Sequence, residues 1–321
     1  MAKTQKQQNI PLWMWHIVAL IPVLIAAPNG MLVKVVSGEI DPIWINVLRF
    51  LVVVPLMIPF VIRAIPHMTR KNVKYACLQG VTYAISITSF VFSISLGQAS
   101  YTAVISLGIP ILLMLYSVYL TRENVSRSAV VGISIAALGA FTIVGFPLFI
   151  GQGFASDFHP LATLFALVNV ASFPLAVIFS RKATEYGLPM GATFGLAAIV
   201  TLSITMIAAL VTTRATMPIE EFLDNPTMLI ASVVYMGIGV SLVGRMLTVV
   251  SYKHLGSAVT GGLYYIEGFM AILLPIIVLG ERMTIEMLFG GLLILLGVIM
   301  AESHRHPTVH RDHHQAGHRH V

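Results

Sequence analysis

Ten runs of roughly 20 apolar residues, each closed by a short polar or turn-forming break, leave this chain very few folds. A helix rises about 1.5 Å per residue, so a run of that length crosses the roughly 30 Å hydrocarbon core of a bilayer. In lipid every backbone N–H and C=O must be bonded within the protein, and helices achieve this one segment at a time. The runs lie near 13–35, 43–62, 74–95, 99–120, 128–147, 159–180, 191–212, 228–251, 256–279 and 284–302. Composition agrees: apolar residues make up 57% of the 321, and charged residues only 10%, against about a quarter in globular proteins. The expected fold is an all-α membrane protein of ten transmembrane helices.

Basic loops stay cytoplasmic, so the placement of Lys and Arg orients the spans. With the N-terminus inside, the inner loops hold Arg63, Arg70, Lys71, Lys74, Arg122, Arg127, Arg181 and Lys182. The outer segments hold Lys34, Arg214 and Arg282, together with acids such as Glu39, Asp41, Asp157 and Asp224. Both termini are therefore expected in the cytoplasm of a bacterial-type inner membrane or plasma membrane. Lys3 and Lys6 before an apolar stretch resemble a signal peptide, but the apolar run resumes at Met31, which argues for a retained first helix. The net charge of +6 sits largely in these loops and does not point to nucleic acid. A single cysteine, Cys77, excludes an intrachain disulfide framework or a Cys-based metal centre.

The two halves align with each other. Lys34 lies eight residues before Pro42, and Arg181 lies eight before Pro189. A shift of 158 pairs Glu123 with Glu281, Gly132 with Gly290, Leu138 with Leu296 and Gly139 with Gly297. A unit of five helices is odd, so its second copy enters the membrane inverted, an arrangement common in secondary transporters. The chain divides into a cytoplasmic segment 1–12, a first repeat 13–147, a second repeat 159–302 and a His-rich tail 303–321.

The stretch from Tyr265 through Glu267-Gly268, Pro275 and Leu279-Gly280-Glu281-Arg282 to Thr284 resembles the ninth and tenth helices of EamA-type transporters, of the drug/metabolite transporter superfamily. Leu120-Thr121-Arg122-Glu123 is a degraded first copy of the same element, with Arg122 at the usual glycine. Glu267-Gly268 stands where the family often has Glu-Pro. The resemblance covers roughly residues 13–302. It implies two inverted five-helix repeats around a cavity lined mainly by helices 1, 3, 4, 6, 8 and 9, and export or exchange of small metabolites.

Charges within spans are costly and need an account. Glu267 lies near mid-bilayer in helix 9, where a carboxyl is a candidate for proton coupling or for pairing with a cationic substrate group. Arg245 is within reach of Glu267 on the neighbouring helix, directly or through substrate, although it and Arg49 are also placed to snorkel. Asn29 and Asn169 fall mid-span beside Pro28 and Pro174, where proline frees backbone carbonyls. Tyr83 and Tyr264 are candidates for an aromatic cavity wall, with packing or interfacial anchoring as the alternative for each. Gly132, Ala136 and Ala140 recur at the spacing that lets helices approach closely, within the fold or in a homodimer.

No cofactor is expected, and the His-rich tail has no fixed metal geometry. The sequence lacks GxxxxGK[ST], HExxH and GxSxG, which weighs against direct ATP use and against an intramembrane enzyme. The leading reading is a secondary transporter, working as an exporter, of an amino acid or an amphipathic or cationic compound. A lipid-linked-sugar translocase, a membrane enzyme and a divalent-metal carrier are the alternatives.

Overall fold

The computed structural model describes residues 12–121, 127–149, 159–213 and 218–302, and among these every regular element is a helix. The His-rich tail, Arg122, Glu123 and the start of the chain fall outside the described residues. Among the described residues six helical stretches are long and apolar enough to cross a membrane, and four shorter apolar helices accompany them.

The first apolar run is two helices, α1 (Leu12–Ala26) and α2 (Asn29–Val36), broken at Ala27-Pro28. Pro28 has no N–H to donate, so the ladder is interrupted there. The Tyr235 hydroxyl donates to the Ile25 carbonyl beside the break at 2.9 Å. Helix α3 (Pro42–Ala64) starts on Asp41, whose carboxylate accepts from Ile43 N at 3.0 Å, with Pro42 at the first position. Helix α4 (Arg70–Leu96) starts on a reciprocal Thr69/Asn72 capping box.

The fourth run also departs from a single helix, dividing into α5 (Ala99–Ser106) and α6 (Ile109–Thr121) at Leu107-Gly108, with Pro110 just beyond. It is followed by α7 (Arg127–Phe149), α8 (Pro160–Glu185) and α9 (Met190–Thr212). Helix α8 runs unbroken through Pro174.

The second half ends with α10 (Ile219–Asp224), α11 (Pro226–Val234), a π-helical segment (Tyr235–Gly244), α12 (Arg245–Leu279) and α13 (Ile285–Glu302). Separate spans were expected at 228–251 and 256–279, but α12 is helical through the intended break. In the first half the break at Gly97-Gln98 has extended backbone, whereas the corresponding Lys253–Ser257 stays helical, although each stretch has one glycine and no proline. At 35 residues α12 would be about 52 Å long if straight, but Asn225 and Glu281 stand at the same end of the bundle, so the chain between them runs out and back.

Helices α7 and α13 meet backbone to backbone. A Cβ on Gly139 would lie 2.6 Å from Gly290 O, and one on Gly290 would lie 2.7 Å from Gly139 O. A Cβ on Gly297 would likewise collide with Gly132 O and lie 2.6 Å from Ala136 N. The small-residue stripe on α7 is thus a packing surface within the fold. Two ends of the bundle are tied separately. Lys34, Gly97, Glu281 and the Glu39–Asn225 contact mark one. At the other, Asn72 Nδ2 donates to the carbonyls of His67 and Tyr186.

Candidate functional site: a cationic, aromatic cavity

A small cavity of about 20 Å³ lies between α3, α4, α9 and the junction of the π-helical segment with α12. Its larger and polar lining residues are Phe50, Gln79, Tyr83, Phe194, Ser241 and Arg245. At 1.5 Å per residue, Gln79 and Tyr83 stand about 14 and 20 Å along α4 from Arg70. Phe194 is about 6 Å from the start of α9. The cavity therefore lies between the middle of the bundle and the end carrying His67 and Tyr186.

Arg245 is held by rings. Its guanidinium carbon is 3.8 Å from the Tyr83 ring centroid and 5.4 Å from that of Phe173. Phe50 meets Tyr83 edge-on at 5.9 Å, which fixes the ring beneath the cation. A guanidinium over an aromatic face is attracted by the ring quadrupole, most strongly where water is thin. Tyr83 covers one side of the guanidinium, and among the described residues its N–H groups have no hydrogen-bond acceptor.

Arg49 was expected to snorkel; it is instead only 1% exposed. Its Nε donates to Met236 O at 3.0 Å and to Ser241 Oγ at 2.6 Å, while Nη1 is buried without a partner. The neighbouring backbone explains its position. Gly237 lies so close to α3 that a Cβ there would sit 2.9 Å from Arg49 O. The π-helical segment thereby presents Met236 O and Ser241 to the Arg49 side chain, and widened turns of this type recur at functional sites. Arg49 and Arg245 are near enough for their charges to interact, and among the described residues no carboxylate lines the cavity.

The other candidates are dispersed. Glu267, on α12, is not a lining residue, and among the described residues it makes no ion pair with Arg245. Asn169 is buried and tied to two helices: Ser86 Oγ donates to its Oδ1 at 2.8 Å, and its Nδ2 reaches Ser106 Oγ at 3.4 Å. Asn29 begins α2, with its Oδ1 buried and unpartnered, away from the cavity. The Tyr264 side chain lies outside what the structure describes. Of the six residues singled out by sequence, Tyr83 and Arg245 come together. Gln79, Ser241 and the phenylalanines were missed, although Gly237-Ile-Gly-Val-Ser241 marked an unusual helix. Helices α3 and α9, the second and seventh spans, line this cavity, unlike the set implied by the resemblance.

A second cluster closes the opposite end. Glu281 follows Gly280, whose φ of 69° ends α12 in the left-handed region glycine favours. Its carboxylate accepts from Ala99 N and Ser100 N at 2.8 Å each and from Ser100 Oγ at 2.6 Å, capping α5. Lys34 Nζ donates to Gly97 O at 2.6 Å and Ile94 O at 3.1 Å, the orphan carbonyls at the end of α4. Cation and anion thus cap the two helix ends that meet at one turn, each matching the local dipole.

Comparison with known proteins agrees with this architecture. A crystal structure superimposes with a TM-score of 0.58 at 16% sequence identity, covering 91% of this chain and 97% of the other, a likeness of fold. An uncharacterized transporter of Clostridium kluyveri is 23% identical over 270 residues, 82% of this chain and 84% of that protein. The EamA-like transporter family matches twice, at residues 13–145 and 160–302, and the chain is a multi-pass membrane protein belonging to that family of transporters.

Proposed function

We propose that the protein is a secondary transporter whose ten spans form two inverted five-helix repeats, moving a small metabolite by alternating access through the Arg245 cavity. The observation that carries this reading is an asymmetry. Lys34 and Glu281 fasten one end of the bundle, while the cavity lies towards the other. The basic residues Arg63, Arg70, Lys71, Lys74, Arg181 and Lys182 gather at the cavity's end, which by the charge rule is cytoplasmic. The described state is then inward-facing, with both termini inside the plasma or bacterial-type inner membrane, and export is the assigned direction.

Two features support the inverted repeat. The family matches each half of the chain separately. Glycines equivalent at the 158-residue shift also cross one another between α7 and α13, as a two-fold axis through that pair requires. Proton coupling is assigned to Glu267, the one carboxyl deep within a span.

The test is counterflow in proteoliposomes, with and without a pH gradient, over carboxylates, amines and amino acids. Accumulation of a labelled solute against its own gradient is expected, with the pH dependence lost in Glu267→Gln. Folded protein that exchanges none of these solutes would refute transport through this cavity. Retention of pH dependence in Glu267→Gln would remove that carboxyl from coupling.

A further inference from the structure

We infer that the cavity selects a small organic carboxylate with an apolar or aromatic body, held at the free edge of Arg245. The inference rests on the transport reading for the cavity's purpose, but its own basis is the chemistry of the walls. Arg245 rests on the Tyr83 ring with Phe173 to one side, which constrains its planar fork, while among the described residues no acceptor takes its N–H groups. A pre-oriented guanidinium is matched by a carboxylate, which takes two parallel hydrogen bonds from it.

Arg49 adds a second positive charge behind Ser241, with a buried N–H group that no protein atom satisfies. Among the described residues no acidic side chain lines the cavity to offset either charge. The vacant partner in this cluster is therefore an anion. A cationic substrate would meet two like charges instead, so the expectation of a cationic compound is replaced.

The remaining walls define the rest of the ligand. Phe50, Val53, Met57, Phe194, Leu242 and Met246 present apolar surface, which suits a ring or branched chain better than a heavily hydroxylated phosphate ester, and the flexible Met57, Leu242 and Met246 side chains must move aside to admit it. Gln79 is 2% exposed, and its Oε1 has no partner. It provides one acceptor for a hydroxyl or N–H on the ligand. A zwitterionic amino acid could use Gln79, but its ammonium group would find no carboxylate among the described lining residues. A net anion fits the charge balance better.

The experiment measures binding and transport separately on the purified full-length chain. Binding is read as ligand-induced thermal stabilisation, using phenyllactate, its methyl ester, phenethylamine and phenylalanine as probes. Phenyllactate is expected to stabilise the protein, whereas the ester and the amine are not. Arg245→Lys keeps the charge but loses the planar fork, and should weaken phenyllactate binding about 10-fold. Arg245→Met should weaken it about 100-fold. Unliganded melting temperatures of both variants show that each is folded, and Gln79→Leu supplies an independent variant, expected to lose several-fold.

Absence of phenyllactate stabilisation overturns the inference, as does stabilisation that survives Arg245→Met undiminished. Exchange of phenethylamine or phenylalanine in proteoliposomes without phenyllactate binding would leave transport standing and reject the anion. Phenyllactate binding without exchange would do the reverse.

Discussion

The Glu281 latch yields a quantitative test of how the closed end is held. Glu281→Ala removes three charge-assisted hydrogen bonds, to Ala99 N, Ser100 N and Ser100 Oγ. Such bonds contribute about 1.5–3 kcal/mol each when isolated. Glu281 is half-buried, so water replaces part of what is lost, and the three together are worth about 3–4 kcal/mol. Each 1.4 kcal/mol is a factor of ten, so the population with this end open rises by about two to three orders of magnitude. Glu281→Gln retains one acceptor oxygen and should show about half the free-energy effect.

The readout is maleimide labelling in detergent of a cysteine placed at Ser93, after Cys77→Ser removes the native thiol. Ser93 is fully buried and bonded to Thr102 Oγ1 at 2.7 Å, one turn from Gly97. When opening is fast relative to labelling, the labelling rate follows the open population. Labelling should be slow in the parent, fast in Glu281→Ala and intermediate in Glu281→Gln, well below the melting temperature of each. Equal rates in all three would show that these hydrogen bonds do not hold the end closed.

Two further outcomes follow from packing. Gly290→Leu forces a side chain into the Gly139 backbone and should lower stability by at least 1–3 kcal/mol, read as a fall in melting temperature in detergent, while Leu292→Val on the exposed face should shift it little. Asn169→Ala strands the Ser86 hydroxyl, while Ser106 keeps its bond to Thr102 O, and should cost about 1–3 kcal/mol of stability; unchanged substrate affinity in this variant would separate its structural role from the cavity.

The membrane class was legible because lipid imposes one rule on every backbone group, and run length alone reveals it. Tyr83 and Arg245 were legible as costly or amphipathic groups within spans. What escaped the sequence depended on geometry between distant helices. Arg49 looked close enough to an end to reach water, yet Gly237 brings the π-helical segment against it and seals it in. Glu267 drew attention by depth, but depth does not fix which way a helix faces, and the cavity formed elsewhere. Asn169 sat beside a proline that was expected to open the helix, but α8 continues through Pro174 and the amide joins Ser86 to Ser106. The continuity of α12 was hidden for the opposite reason: one glycine was read as a break that the local backbone does not make.

The α7–α13 contact has a consequence for ancestry. Gly139 touches Gly290 while Gly132 touches Gly297, so each side presents the same surface to the other. A self-complementary surface of this sort needs no second, different partner. A five-helix chain carrying it could pair with its own copy in opposite orientation, and fusion of two such genes would preserve the seam already formed.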